Sequence, residues 1–298
     1  MEAIWQWGLS VIVAVQQVHG PLLDGIFRAI TFLGDEQFYL ILIPVLVWCV
    51  DFRFGVRLAA LFLMASYLNA GLKDLFQHPR PFVLEPAVKL AEAEGYGLPS
   101  GHAQSAVVVW GTLAAWGKRG WLWGLAIALI VLIGFSRVYL GVHFPTDVLA
   151  SWVIGSILLA VYLVVQPPVE EWVSKLKLRR QVLLALAVPV VLVLLHPTRD
   201  TVASLAPLTG AGVGFALAHR YVRFDASGRW WQRLARFLIG IAVVLALYLG
   251  LKAVFPGEGS GLYLVFRFLR YALMGLWITL GAPWLFSSLK LVQTERRS

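Results

Sequence analysis

The chain is 298 residues long, 59% hydrophobic and only 14% charged, with a mean hydropathy of +0.77. A soluble domain carries about 25% charged residues, so this composition excludes an ordinary water-soluble fold and places most of the chain in lipid. The formal net charge of +9 does not point to nucleic acid. The arginines and lysines fall between apolar stretches, where they mark topology and attract anionic headgroups. The single cysteine, Cys49, lies inside an apolar run, which leaves no disulfide within the chain and suggests no thiol chemistry.

In chain order, Ile4 to Val15 lacks the basic leader and small-residue cleavage site of a signal peptide. Its length, tryptophans and glutamines predict an interfacial helix. A second short amphipathic piece, Leu22 to Phe32, follows His19-Gly20-Pro21. Nine apolar runs come next, at 37–50, 56–72, 101–116, 121–135, 147–165, 182–195, 201–218, 237–254 and 262–286. Some are shorter than the ~20 residues a span needs, so flanking polar residues must snorkel or the boundaries lie a turn further out. The expected fold is an all-α polytopic transmembrane bundle of about nine spans, with amphipathic interfacial helices at the amino terminus. Counting Ile4 to Val15 as a tenth span is the alternative.

Pro167-Pro168 is expected to end the fifth span, with Lys175, Lys177, Arg179 and Arg180 following. This divides the chain into an interfacial segment 1–36, a bundle 37–166 and a four-span extension 167–298. Gly210, Gly212 and Gly214 in the seventh run predict close helix packing.

The loops alternate in charge. Those at 51–56, 117–120, 166–181 and 219–236, with Arg57 and the tail after Ser287, hold 16 of the 25 basic residues. The positive-inside rule puts this set in the cytoplasm and the opposite set outside.

Three segments in the opposite set carry chemistry. Lys73 is followed seven residues later by Arg80-Pro81, with Pro79 and Pro81 holding the backbone extended. Pro99-Ser100-Gly101-His102 opens an apolar run; Ser100 can cap that helix, and Gly101 lets an anion approach the free backbone N–H groups. Ser136-Arg137 is followed by His143 and Asp147, whose spacing lets the carboxylate turn back toward the imidazole, and Pro145 suits a helix start. Lys73, Arg80 and Arg137 supply three cations at one membrane face, which suits a phosphate ester and would repel a divalent metal. His78, before Pro79, reads as a plain loop residue, with contact to a headgroup the alternative, and Asp74, beside Lys73, either orients that lysine or lies in water.

Together the three segments resemble the type 2 phosphatidic acid phosphatase superfamily, which includes bacterial lipid phosphatases, glucose-6-phosphatase and sphingosine-1-phosphate phosphatase. The resemblance covers roughly 34–166, and the span plan is similar to that of glucose-6-phosphatase. It implies that His143 attacks phosphorus and becomes a phosphohistidine, oriented by Asp147, while His102 protonates the leaving group. Lys73, Arg80, Ser100, Gly101 and Arg137 would hold the phosphate, with no metal and no cofactor.

The expected activity is hydrolysis of a lipid phosphate monoester or diphosphate: undecaprenyl diphosphate, phosphatidic acid, phosphatidylglycerophosphate or a sphingoid-base phosphate. Transfer to a lipid acceptor, a soluble sugar phosphate as substrate, and a non-catalytic lipid transporter are the alternatives. The expected setting is a bacterial inner membrane with the site on its extracytoplasmic face. Membrane lipid is the expected partner, nucleic acid is not, and a homodimer is left open.

Overall fold

The computed structural model describes residues 2–292 and is helical, with no strand among those residues. The tail at 293–298, counted above among the basic loops, lies outside them. Thirteen helices follow in order: α1 (Glu2–Gln16), α2 (Pro21–Phe32), α3 (Glu36–Val45), α4 (Phe52–Phe76), the short α5 (Pro81–Leu84), α6 (Gly101–Gly117) and α7 (Gly120–Tyr139). They continue with α8 (Pro145–Ser174), α9 (Leu178–Leu195), α10 (Arg199–Tyr221), α11 (Trp230–Val254), α12 (Tyr263–Leu276) and α13 (Ala282–Ser288). Wider π-helical turns at Leu46–Val50 and Trp277–Gly281 extend α3 and join α12 to α13.

Every apolar run falls on a helix, yet the membrane count differs from nine. Seven helical segments are long and apolar enough to cross a bilayer, and eight if α2 and α3, bent by 47° at their junction, make one broken span. The shortfall includes α6, whose 17 residues reach only about 25 Å at 1.5 Å per residue, against roughly 30 Å of hydrocarbon. A second correction concerns Pro167 and Pro168. They do not end the helix; α8 runs through both to Ser174. Each proline removes one backbone donor without forbidding the helical path, and beyond them Glu170 pairs with Arg57.

The chain forms two compact units, Met1–Tyr39 with Leu68–Gln166, and Leu40–Tyr67 with Pro167–Ser298. In the first, α1 is part of the packing. Ile12 is fully buried in a cluster with Val88, Ala103, Val138, Phe144 and Val148, and Gln16 Nε2 donates to the carbonyls of Val88 (2.9 Å) and Tyr139 (2.8 Å).

In the second unit, Trp48, Phe52, Phe224 and Phe286 centre the core. The glycine stripe of α10 packs as its spacing predicts. A Cβ on Gly210 would overlap the Ala272 carbonyl, and one on Gly214 would overlap the Thr279 hydroxyl. The small residues let these backbones approach where side chains would hold them apart.

Candidate active site

All three chemical segments lie in the first unit. Pro145 starts α8, which leaves His143 just ahead of the helix and Asp147 in its first turn. Both are buried, at 2% and 0% exposure. His143 Nδ1 lies 3.5 Å from Asp147 Oδ2, and that oxygen also accepts the Phe144 N–H at 2.9 Å. On the other edge of the ring, Nε2 lies 3.2 Å from Arg80 Nη1. The Nδ1 proton therefore belongs on the carboxylate side and leaves the Nε2 lone pair facing the cation. Burial away from water pushes the His143 pKa down to about 3, with Asp147 opposing that shift and Arg80 and Arg137 adding to it.

Arg80 is held by backbone carbonyls. Its Nε donates to Gly95 (2.9 Å), Nη2 to Glu94 (2.6 Å) and Nη1 to Val142 (2.9 Å). A guanidinium has five donors in a fixed fork, so three carbonyls set its plane. Arg137, near the end of α7, donates from Nη1 to Thr31 Oγ1 at 2.8 Å, and its charge and that of Arg80 act on each other. Lys73 is half-buried in the last turn of α4, and its charge, like that of Arg137, reaches His102. Arg80 and Arg137 thus act on His143, and Arg137 and Lys73 on His102.

Ser100 is the N-cap of α6. It is fully buried, and its hydroxyl accepts the Ala103 N–H at 3.5 Å. Its own N–H donates to Ser151 Oγ (2.6 Å), and Ser151 Oγ donates to the Asp147 carbonyl (2.5 Å). Gly101 and His102 follow in the first turn, where backbone N–H groups have no partner within the helix.

The sequence reading missed several supporting residues. Asp35, in the break between α2 and α3, brings Oδ2 to 3.4 Å from His102 Nε2. His78, set aside above as a loop residue, presents Nδ1 to Asp147 Oδ1 at 3.1 Å, off the line of an ideal hydrogen bond. Its Nε2 accepts the Trp5 indole N–H at 2.7 Å. Asp147 is thereby approached by His143 on one oxygen and His78 on the other. The adjacency of Asp35 to Gly34 and of His78 to Pro79 was the visible signal, and it did not name the partners.

The fold and site define a helical integral-membrane protein with a buried histidine–aspartate pair beside Arg80 and within the field of Arg137. Comparison with known proteins agrees. The PAP2 superfamily model matches residues 54–170, and the model for the PAP2 superfamily phosphatase transmembrane extension matches 202–296. The chain belongs to the PAP2 superfamily.

It is similar to lipid phosphate phosphatase delta of Arabidopsis thaliana, 27% identical over 185 residues, 56% of this chain and 44% of that one. A probable sphingosine-1-phosphate phosphatase of Dictyostelium discoideum is 30% identical over 171 residues, 52% of this chain and 42% of that one. Phosphatidylglycerophosphatase B of Bacillus subtilis (strain 168) is 30% identical over 162 residues, 50% of this chain and 78% of that one. The chain spans less than half the length of the first two relatives.

Proposed function

We propose that this chain is a metal-independent lipid phosphatase working through a phosphohistidine, with its site on the extracytoplasmic face of a bacterial inner membrane. One observation carries the reading. His143 Nδ1 lies 3.5 Å from Asp147 Oδ2 and its Nε2 lies 3.2 Å from the Arg80 guanidinium, while burial holds the imidazole well below its ordinary pKa and so favours the neutral ring. That arrangement suits attack on an anionic phosphorus centre, whose charge the cations offset.

In the first step Nε2 bonds to phosphorus, the bond from phosphorus to the leaving oxygen breaks, and His102 gives that oxygen a proton. In the second, water attacks phosphorus, its proton passes to His102, the P–N bond breaks and inorganic phosphate leaves. Arg80, Arg137 and Lys73, with the Gly101 and His102 amides, hold the phosphoryl oxygens. The relatives named for lipid phosphate, sphingosine-1-phosphate and phosphatidylglycerophosphate favour a lipid phosphate as substrate.

The test is phosphate release in mixed micelles with EDTA present. The panel is undecaprenyl diphosphate, phosphatidic acid, phosphatidylglycerophosphate, sphingosine phosphate and glucose-6-phosphate, run beside His143→Ala. The expected outcome is turnover of one lipid phosphate, reduced at least ~10³-fold in the variant. Turnover that survives in His143→Ala, or that EDTA abolishes, refutes the mechanism.

A further inference from the structure

The second unit contains a cavity of about 730 Å³ that plays no part in the site described above. It lies among three of the loops whose charge assigns them to the cytoplasmic side: the start of α4, the turn from α8 to α9, and the end of α10. Arg53, Lys177, Arg220 and Arg223 line it, and no aspartate or glutamate does.

Two other basic residues of the same region have carboxylate partners. Arg57 pairs with Glu170, and Lys175 Nζ lies 2.6 Å from Glu171. Among the described residues the four at the cavity have none. All four are exposed, so water screens part of their mutual repulsion, and an anion seated between them would remove more of it.

The backbone at Arg223 adds to the picture. It sits just past the end of α10 in the left-handed region, φ 51°, with its N–H donating to the Ala218 carbonyl at 2.8 Å. Glycine adopts that conformation at least cost, so an arginine there puts a long cation at the cavity against the local preference. Phe52 and Phe224, which meet edge-on with ring centres 5.4 Å apart, give the same cavity an apolar wall. A headgroup phosphate fits the cations, and the first carbons of its glyceride fit the rings.

We propose that this cavity binds a phosphate-bearing anion, with the headgroup of an anionic phospholipid as the occupant its mixed walls fit. The site is separate from the histidine chemistry and does not depend on it. The experiment uses the full chain in detergent, titrated with dioleoyl phosphatidylglycerol, dioleoyl phosphatidylcholine or sn-glycerol 3-phosphate, with bound ligand read by native mass spectrometry. Phosphatidylglycerol is a phosphodiester and so is not consumed by a monoester or diphosphate hydrolase.

The expected result is retention of phosphatidylglycerol over phosphatidylcholine. Affinity should fall about tenfold or more in the double variant Arg220→Gln, Arg223→Gln, and survive in Arg220→Lys, Arg223→Lys. Binding of glycerol 3-phosphate with the same dependence on the arginines assigns the seat to a soluble phosphate instead of a lipid. Equal retention of the two lipids, or phosphatidylglycerol affinity unchanged in the glutamine variant, overturns the proposal. If that variant is not monodisperse, Arg53→Gln with Lys177→Gln, on two other loops, is held to the same criteria.

Discussion

Asp35 faces His102 much as Asp147 faces His143, so each imidazole of the proposed reacting pair has its own carboxylate. Burial, then the charge of Arg137, push the His102 pKa down to about 4, and Asp35 opposes that shift toward the imidazolium form that the proposed general acid requires. Asp35→Asn is expected to lower kcat for alkyl phosphates by about 10- to 100-fold. p-Nitrophenyl phosphate, whose leaving group needs no proton, should lose little, and the high-pH limb of the kcat profile should move to lower pH. Equal loss on both substrates with an unmoved profile would assign Asp35 a purely structural role.

His143 carries a stability consequence of its own. Its folded pKa, about 3, lies below the ordinary 6.5, so between those values the unfolded chain binds a proton that the native chain does not. Stability contributed by the neutral imidazole is therefore lost as pH falls from about 6.5 toward 3. The thermal midpoint in detergent should decline across that window, and the decline should shrink in His143→Gln. An identical pH dependence in the two proteins contradicts the assignment.

At the scale of elements, legibility followed locality. The three segments could be read because cations, histidines and a helix-capping serine declare their chemistry at short spacing. Asp35, His78 and Trp5 could not, since their roles arise from contacts across long stretches of chain, 73 residues in the case of Trp5 and His78. The amphipathicity of α1 was visible, but its burial against Phe144 was not. Helix ends were also mis-set where proline was read as a stop, because donor loss is a cost and not a prohibition. The α10 stripe was legible, since glycines four apart share a face. Gly210→Leu should lower stability by about 1–3 kcal/mol, because the obstacle is backbone and cannot rotate away. Gly250→Leu is the control, as a Cβ there meets nothing within 4 Å. Comparable thermal midpoints for the two variants would show that the stripe bears no packing load.

For the whole molecule, the charge alternation of the loops is an independent line of argument from the helices. On the proposed topology residues 77–100 are outside and the segment 175–180, from the end of α8 into the start of α9, is inside. Glu85→Cys should react with a membrane-impermeant maleimide in intact cells, whereas Arg179→Cys should react only after permeabilisation. The native Cys49 is buried and should stay silent. The reverse labelling pattern would place the histidines on the cytoplasmic face.

The tie that runs from the Ser100 N–H through Ser151 to the Asp147 carbonyl joins the amino-terminal end of α6, the proposed phosphate seat, to the helix that carries Asp147 beside the proposed nucleophile. These parts are therefore not interchangeable modules. A loop transplanted from a relative without its matching serine arrives with a stranded N–H and misplaces the half of the site that was left alone. Residues 51 positions apart therefore form one structural unit, and a Ser151→Ala variant should disturb the α6 end of the site as well as the α8 end.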